Sequence, residues 1–90
     1  MAISFVGASP VVASSNPTVA IPSGVVAGDL LVLIVSAAVA TPSTPTGWTV
    51  IANALSSSYV FIKVAGSSES SVSLTLGGAA SEIAYMVAYR

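Results

Sequence analysis

The sequence predicts an all-β domain, a sandwich or a barrel built from seven or eight short strands. Three observations carry this expectation. Turn-forming groups recur at short intervals, at Gly7-Ala8-Ser9-Pro10, Ser14-Ser15-Asn16-Pro17, Pro22-Ser23-Gly24, Ala27-Gly28-Asp29, Pro42 to Gly47, Gly66-Ser67-Ser68 and Gly77-Gly78. Such residues preset or permit the dihedrals that reverse a chain. Between them the apolar residues alternate from side to side, as in strands, and show no helical period. Serine and threonine, 22 of the 90 residues, occupy the turns and strand exteriors where a domain ordinarily places charge.

Each strand has its own justification. The early candidates, Ile3 to Val6, Val11 to Ala13 and Thr18 to Ile21, are short apolar runs fenced by the first three turns. Gly7 to Asn16 is rich in small residues, so this stretch suits either a sandwich edge or an extended arm reaching a neighbour. Leu30 to Val35 is continuously aliphatic, which predicts a central strand covered on both sides. Trp48 to Ala54 follows the proline-rich turn. In Ser58 to Ala65, Val60, Ile62 and Val64 share one face while Tyr59, Phe61 and Lys63 share the other, so both faces are largely apolar. Ser71 to Leu76 alternates strictly, with Val72, Leu74 and Leu76 on one side and hydroxyls on the other, the pattern of a half-buried strand. Glu82 to Arg90 sets Ile83, Tyr85, Val87 and Tyr89 against Ala84, Met86 and Ala88. Gly78 to Arg90 is the best helical candidate, and it fails for want of a cap and for its β-branched and aromatic end. Residues 1–90 therefore read as a single β-domain, a length well below that at which chains divide.

Composition removes most function classes. The chain is 54% hydrophobic and 6% charged, where an ordinary domain is about 25% charged. That balance invites a membrane reading. The longest apolar run, Leu30 to Ala40, is nonetheless half the roughly 20 residues a spanning helix needs, and it ends at Asp29 and at Thr41-Pro42. No basic cluster flanks it, and Met1 to Phe5 lacks the charge and apolar length of a secretion signal. With Lys63 and Arg90 as the only cations and a net charge of -1, the surface suits no phosphate backbone. The expected partners accordingly include neither nucleic acid nor membrane.

The chemistry-bearing residues are few. Without Cys or His there is no disulfide framework, no thiol nucleophile, no imidazole base and no thiolate or imidazole metal ligand. Lys63 has Val60 three residues before it, so the Ser-x-x-Lys arrangement is absent, and its long stem suits a strand residue that covers apolar surface. Asp29, Glu69 and Glu82 show no local pairing of the kind glycosidases or calcium sites use. Asp29 fits an Asx-type turn cap before the aliphatic strand; Glu69 and Glu82 fit solubilising charges. Gly77-Gly78 is too short to cradle a phosphate, and neither Asn16 nor Asn53 stands in a glycosylation acceptor. The expectation is a chain that is not an enzyme and takes no cofactor or metal.

The aromatic residues remain. Trp48, within Gly47-Trp48-Thr49-Val50, suits a small core. Tyr59 and Phe61 oppose the aliphatic face of their own strand, and a small sandwich cannot hide both faces of several strands. Tyr59, Phe61, Tyr85 and Tyr89 are therefore the candidate contact residues for a partner or a second copy. A carbohydrate-stacking platform is the competing expectation.

The order of the motifs carries a resemblance. Pro22-Ser23-Gly24-Val25-Val26-Ala27-Gly28-Asp29-Leu30-Leu31-Val32 resembles the opening of a β-sandwich module of bacteriophage virion proteins, both capsid decoration and tail-associated. Pro45-Thr46-Gly47-Trp48-Thr49-Val50-Ile51, Tyr59 with Lys63-Val64-Ala65, and Glu69-Ser70-Ser71 are similar to its continuation, and Ile83 to Arg90 to its last strand. The likeness runs from about Ile3 to Arg90. It implies a single small antiparallel β-sandwich, jelly-roll-like or immunoglobulin-like, in a non-enzymatic virion structural protein assembled in the bacterial cytoplasm. A capsid decoration (cement) protein, homo-oligomeric and for instance trimeric, seated on the major capsid protein or another virion protein, is the leading expectation. A tail or baseplate module that contacts glycan or host surface is the alternative.

Overall fold

A computed structural model describes residues 3–14, 18–36, 44–54, 58–74 and 82–90. Among them lie eight strands and no helix: β1 (Phe5–Ala8), β2 (Val12–Ser14), β3 (Thr18–Val19), β4 (Leu30–Ser36), β5 (Thr49–Ala54), β6 (Ser58–Val64), β7 (Val72–Ser73) and β8 (Glu82–Tyr89). The stretch Ala37 to Ala40, Thr75-Leu76, the Gly77-Gly78 turn, and parts of the turns expected at Ser14 to Pro17 and Pro42 to Gly47 fall outside the described residues.

Six strands make one antiparallel sheet in the order β1-β8-β4-β6-β5, and β2 pairs with β8 farther along the edge that β1 occupies. The long strands β4, β6 and β8 form its centre because their apolar residues are the most continuous. β3 and β7 form a separate two-stranded ribbon. Val19 of β3 and the adjoining Leu74 are buried in the same cluster as Leu31, Leu33, Phe61 and Met86 of the large sheet. The two sheets thus enclose one core, as a small β-sandwich does. β3 is shorter than the expected Thr18 to Ile21. Beyond Val19 the chain reaches Pro22, which has no N–H to give a ladder.

Register explains which residues face inward. Leu33 lies between Met86 of β8 and Phe61 of β6, Val35 between Ala84 and Tyr59, and Leu31 between Ala88 and Lys63. Bulky residues of β4 and β6 thus face small or flexible ones of β8. Lys63 is half-buried, and all the others of these three rows are buried.

Along the edge of β8 the chain makes a repair. Pro10 cannot donate, and β1 and β2 are separated by Ser9-Pro10-Val11. Ser9 fills the gap twice: its N–H donates to the Met86 carbonyl at 2.8 Å, and its Oγ accepts the Met86 N–H at 2.8 Å. A buried hydroxyl therefore stands where a strand carbonyl would. The segment Gly7 to Ser14 belongs to the protein's own sheet, so as far as Ser14 it is an edge and not an arm.

One expectation needs correction. Leu30 to Val35 forms a central strand, but among the described residues it is covered on one side only. Leu31, Leu33 and Val35 are buried, whereas Val32 and Ile34 are half-buried and Leu30 is exposed. An unbroken aliphatic run signals two covered faces only if both layers are complete, and the ribbon covers one.

Candidate interaction surface

The face of the large sheet that no described residue covers is apolar across its middle and bordered by hydroxyl residues, Thr49 on the β5 edge and Ser36 and Ser58 at one end. Its first row runs from Phe5 through Tyr89 and Leu30 to Val64; the next carries Val87, Val32 and Ile62; the third carries Tyr85, Ile34 and Val60. Ile83 begins a fourth row that continues into Ser36 and Ser58. Phe5 is 63% exposed, Val64 64% and Ile83 47%. The Phe5 and Tyr89 rings meet edge to face with centroids 6.0 Å apart, a geometry that aromatic quadrupoles favour. No charged residue stands in these rows. Contiguous apolar surface of this kind marks a place where proteins meet other surfaces.

The four aromatic contact candidates divide between the two faces. Tyr85 and Tyr89 lie on the open face, half-buried. Tyr59 and Phe61 face inward, 2% and 1% exposed, so they are core residues and not contact residues. The residues that share the open face of β6 are Val60, Ile62 and Val64. Trp48 is buried as expected, at 8% exposure, and lines part of the groove beside Lys63.

The charged residues do structural work at two places. Asp29, 1% exposed, receives Arg90 in a two-pronged contact, Nε to Oδ1 at 2.9 Å and Nη2 to Oδ2 at 3.0 Å. Arg90 Nη2 also donates to the Gly24 carbonyl, and the Val26 N–H donates to Asp29 Oδ2 at 2.9 Å. The planar fork of arginine matches a carboxylate in this way. The Asp29 N–H returns to the Val26 carbonyl at 3.1 Å, closing a turn whose third residue is Gly28 at φ +94°. A type II turn reserves that position for glycine. Arg90, and secondly the Val26 N–H, hold the Asp29 carboxyl below its usual range, while Asp29 raises the Arg90 guanidinium. Asp29 therefore does cap a turn, and it also ties that turn to the last strand.

Glu69 is likewise more than a solubilising charge. Its Oε2 accepts the Gly66 N–H at 2.7 Å and its Oε1 accepts Lys63 Nζ at 2.9 Å. These two contacts, the backbone one foremost, pull the Glu69 carboxyl down. The pair sits in an open groove of about 410 Å³ whose lining is half hydroxyl residues, among them Thr44, Thr46, Ser70 and Ser71, with Trp48 and Val72 also in its wall. Among the described residues no three acidic, Cys or His side chains are grouped to hold a metal. The side chain of Glu82 lies outside the described set.

Sequence reasoning did not foresee either ion pair. Asp29 and Arg90 are far apart in the chain, and nothing local links them. The scarcity of charge was the available signal: with so few ions, a buried aspartate has to find one of the two cations.

Against known proteins, no family model, no curated protein and no solved structure matches the chain.

Proposed function

We propose that the chain is a non-enzymatic structural protein of a bacteriophage virion, acting as a capsid decoration protein that reinforces the coat lattice. The observation that carries this reading is the open face of the six-stranded sheet, broad, apolar and free of charge. Such a face works by being covered. The motif order from Pro22 to Arg90, which resembles virion β-sandwich modules, supplies the setting. Many copies on one shell add their contacts without any single tight one. The inventory supports a role without catalysis: there is no Cys or His, and Asp29 and Glu69 are each held by a cation.

The test is the number of copies per purified virion, read by quantitative mass spectrometry, together with the heat and salt tolerance of capsids with and without the protein. Copies in the hundreds and a measurable gain in tolerance are expected. Absence from the particle, or unchanged tolerance of capsids that lack it, overturns the proposal.

The hydroxyl-lined groove beside Lys63 and Glu69 favours a second reading, a tail or baseplate module that contacts glycan. A handful of copies per virion and a positive glycan array would support it. Loss of binding in Thr46→Ala or Ser71→Ala would place the contact at the groove. Trp48 and Tyr59 are unsuitable for that test, because removing a buried ring unsettles the fold.

A further inference from the structure

We infer that the open face of the large sheet is occupied by the same face of a second copy, giving a two-fold dimer in which two six-stranded sheets pack against each other. This rests on the structural reading above and names the partner of that surface.

Three properties of the face point to a second copy. The first is area. Seven-residue strands rise about 3.4 Å per residue and five strand positions lie about 4.8 Å apart, so the face measures roughly 24 by 24 Å before side-chain relief is added. That approaches the ~800 Å² of accessible surface each partner contributes to a stable standard interface. The second is chemistry. Lys63 belongs to the inward set of β6, and Asp29, Glu69 and Arg90 are committed to ion pairs. Among the described residues the face thus has no charge with which to answer a charged partner, whereas an identical sheet matches its aliphatic middle of Val87, Val32, Ile62, Ile34 and Val60. The third is shape. Twisted sheets with alternating side chains stack on each other about 10 Å apart at a small angle, and a two-fold axis makes one patch serve as both halves.

The arrangement also divides the surface. It buries Val32, Ile34, Val60 and Ile62, and it leaves the hydroxyl groove and the ribbon free. Contacts with a coat lattice then fall to that polar side and to the edge of β5, where Val50 and Ile51 are exposed.

Light scattering and sedimentation velocity on the full chain, from about 1 to 200 µM, test it. The expected particle has twice the 8.8 kDa of one chain. Val32→Lys, at the centre of the face, is expected to raise the dissociation constant at least about a hundredfold, because each copy would carry an unpaired ammonium into a dry contact. Should that variant fold poorly by circular dichroism, Val64→Lys, at a position already 64% exposed, carries the test. Val50→Lys, on the β5 edge, is expected to leave the dimer intact. A monomer throughout the range, or a dimer that survives Val64→Lys and breaks with Val50→Lys, overturns the inference. A monomer that still decorates virions sinks the dimer and spares the decoration role; a dimer absent from virions does the reverse.

Discussion

Truncating Phe61 to alanine removes the largest side chain that the core buries completely. Its ring stands beside Leu33 of the central strand, in the middle row of the inward face. Phe→Ala at such sites costs about 3–5 kcal/mol, a sum of lost transfer energy and the cavity left behind. A 90-residue domain has roughly 5–13 kcal/mol in total, at about 0.05–0.15 kcal/mol per residue. Phe61→Ala should thus remove about a quarter or more of the stability and lower the urea midpoint by roughly 2–5 M, taking m as about 1–1.5 kcal/mol/M. Its neighbour Ile62 lies on the other face, half-buried, and Ile62→Ala should cost only about 1–2 kcal/mol when the protein is dilute enough to be monomeric. Equilibrium unfolding followed by far-UV circular dichroism measures both. If Ile62→Ala proved the costlier of the two at low concentration, the assignment of inside and outside would be wrong.

Two more outcomes follow from the polar groups. Asp29 and Glu69 have folded pKa values below their ordinary 3.8 and 4.5, so their contribution is complete above those values and is lost as pH falls through the lower, folded ones. Thermal midpoints should therefore be flat near neutrality and fall below about pH 4, and Asp29→Asn should lower the midpoint at pH 7 while flattening the acid limb; an unaltered acid limb in that variant would count against the Arg90 clamp. Ser9→Ala strands the buried Met86 N–H, so it should cost about 1–3 kcal/mol and speed amide exchange at Met86, and unchanged exchange there would mean that the hydroxyl is not part of the ladder.

Much of the fold was legible because β4, β6 and β8 carry so many apolar residues. Which side they bury was not. Alternation tells inside from outside only when the outer residues are polar, and here the outer rows are valine, isoleucine and tyrosine. The inward side of β8 is the modest one, Ala84, Met86 and Ala88, while its bulkier Ile83, Tyr85 and Tyr89 face out. For β6 the rings of Tyr59 and Phe61 are the larger burial and claim the core. Side-chain size in any one strand therefore gave no guide, since the choice is made by all three strands together. The Asp29–Arg90 contact and the Ser9 repair join segments 61 and 77 residues apart, which local pattern does not encode. The open face itself was foreseeable in outline: too many apolar positions for one small core to hide.

Ser4 and Arg90 exchange two backbone hydrogen bonds, each 2.8 Å long. In an antiparallel ladder such a pair has its Cα atoms about 5.5 Å apart. A polypeptide that comes in at Ser4 goes out at Arg90 beside the point where it arrived. Joining those positions directly, and opening the chain at a surface turn, asks for little closure entropy. By the same geometry the whole sandwich can hang from a single loop of a larger protein without prying that loop apart, so the fold is as portable as an insertion as it is on its own.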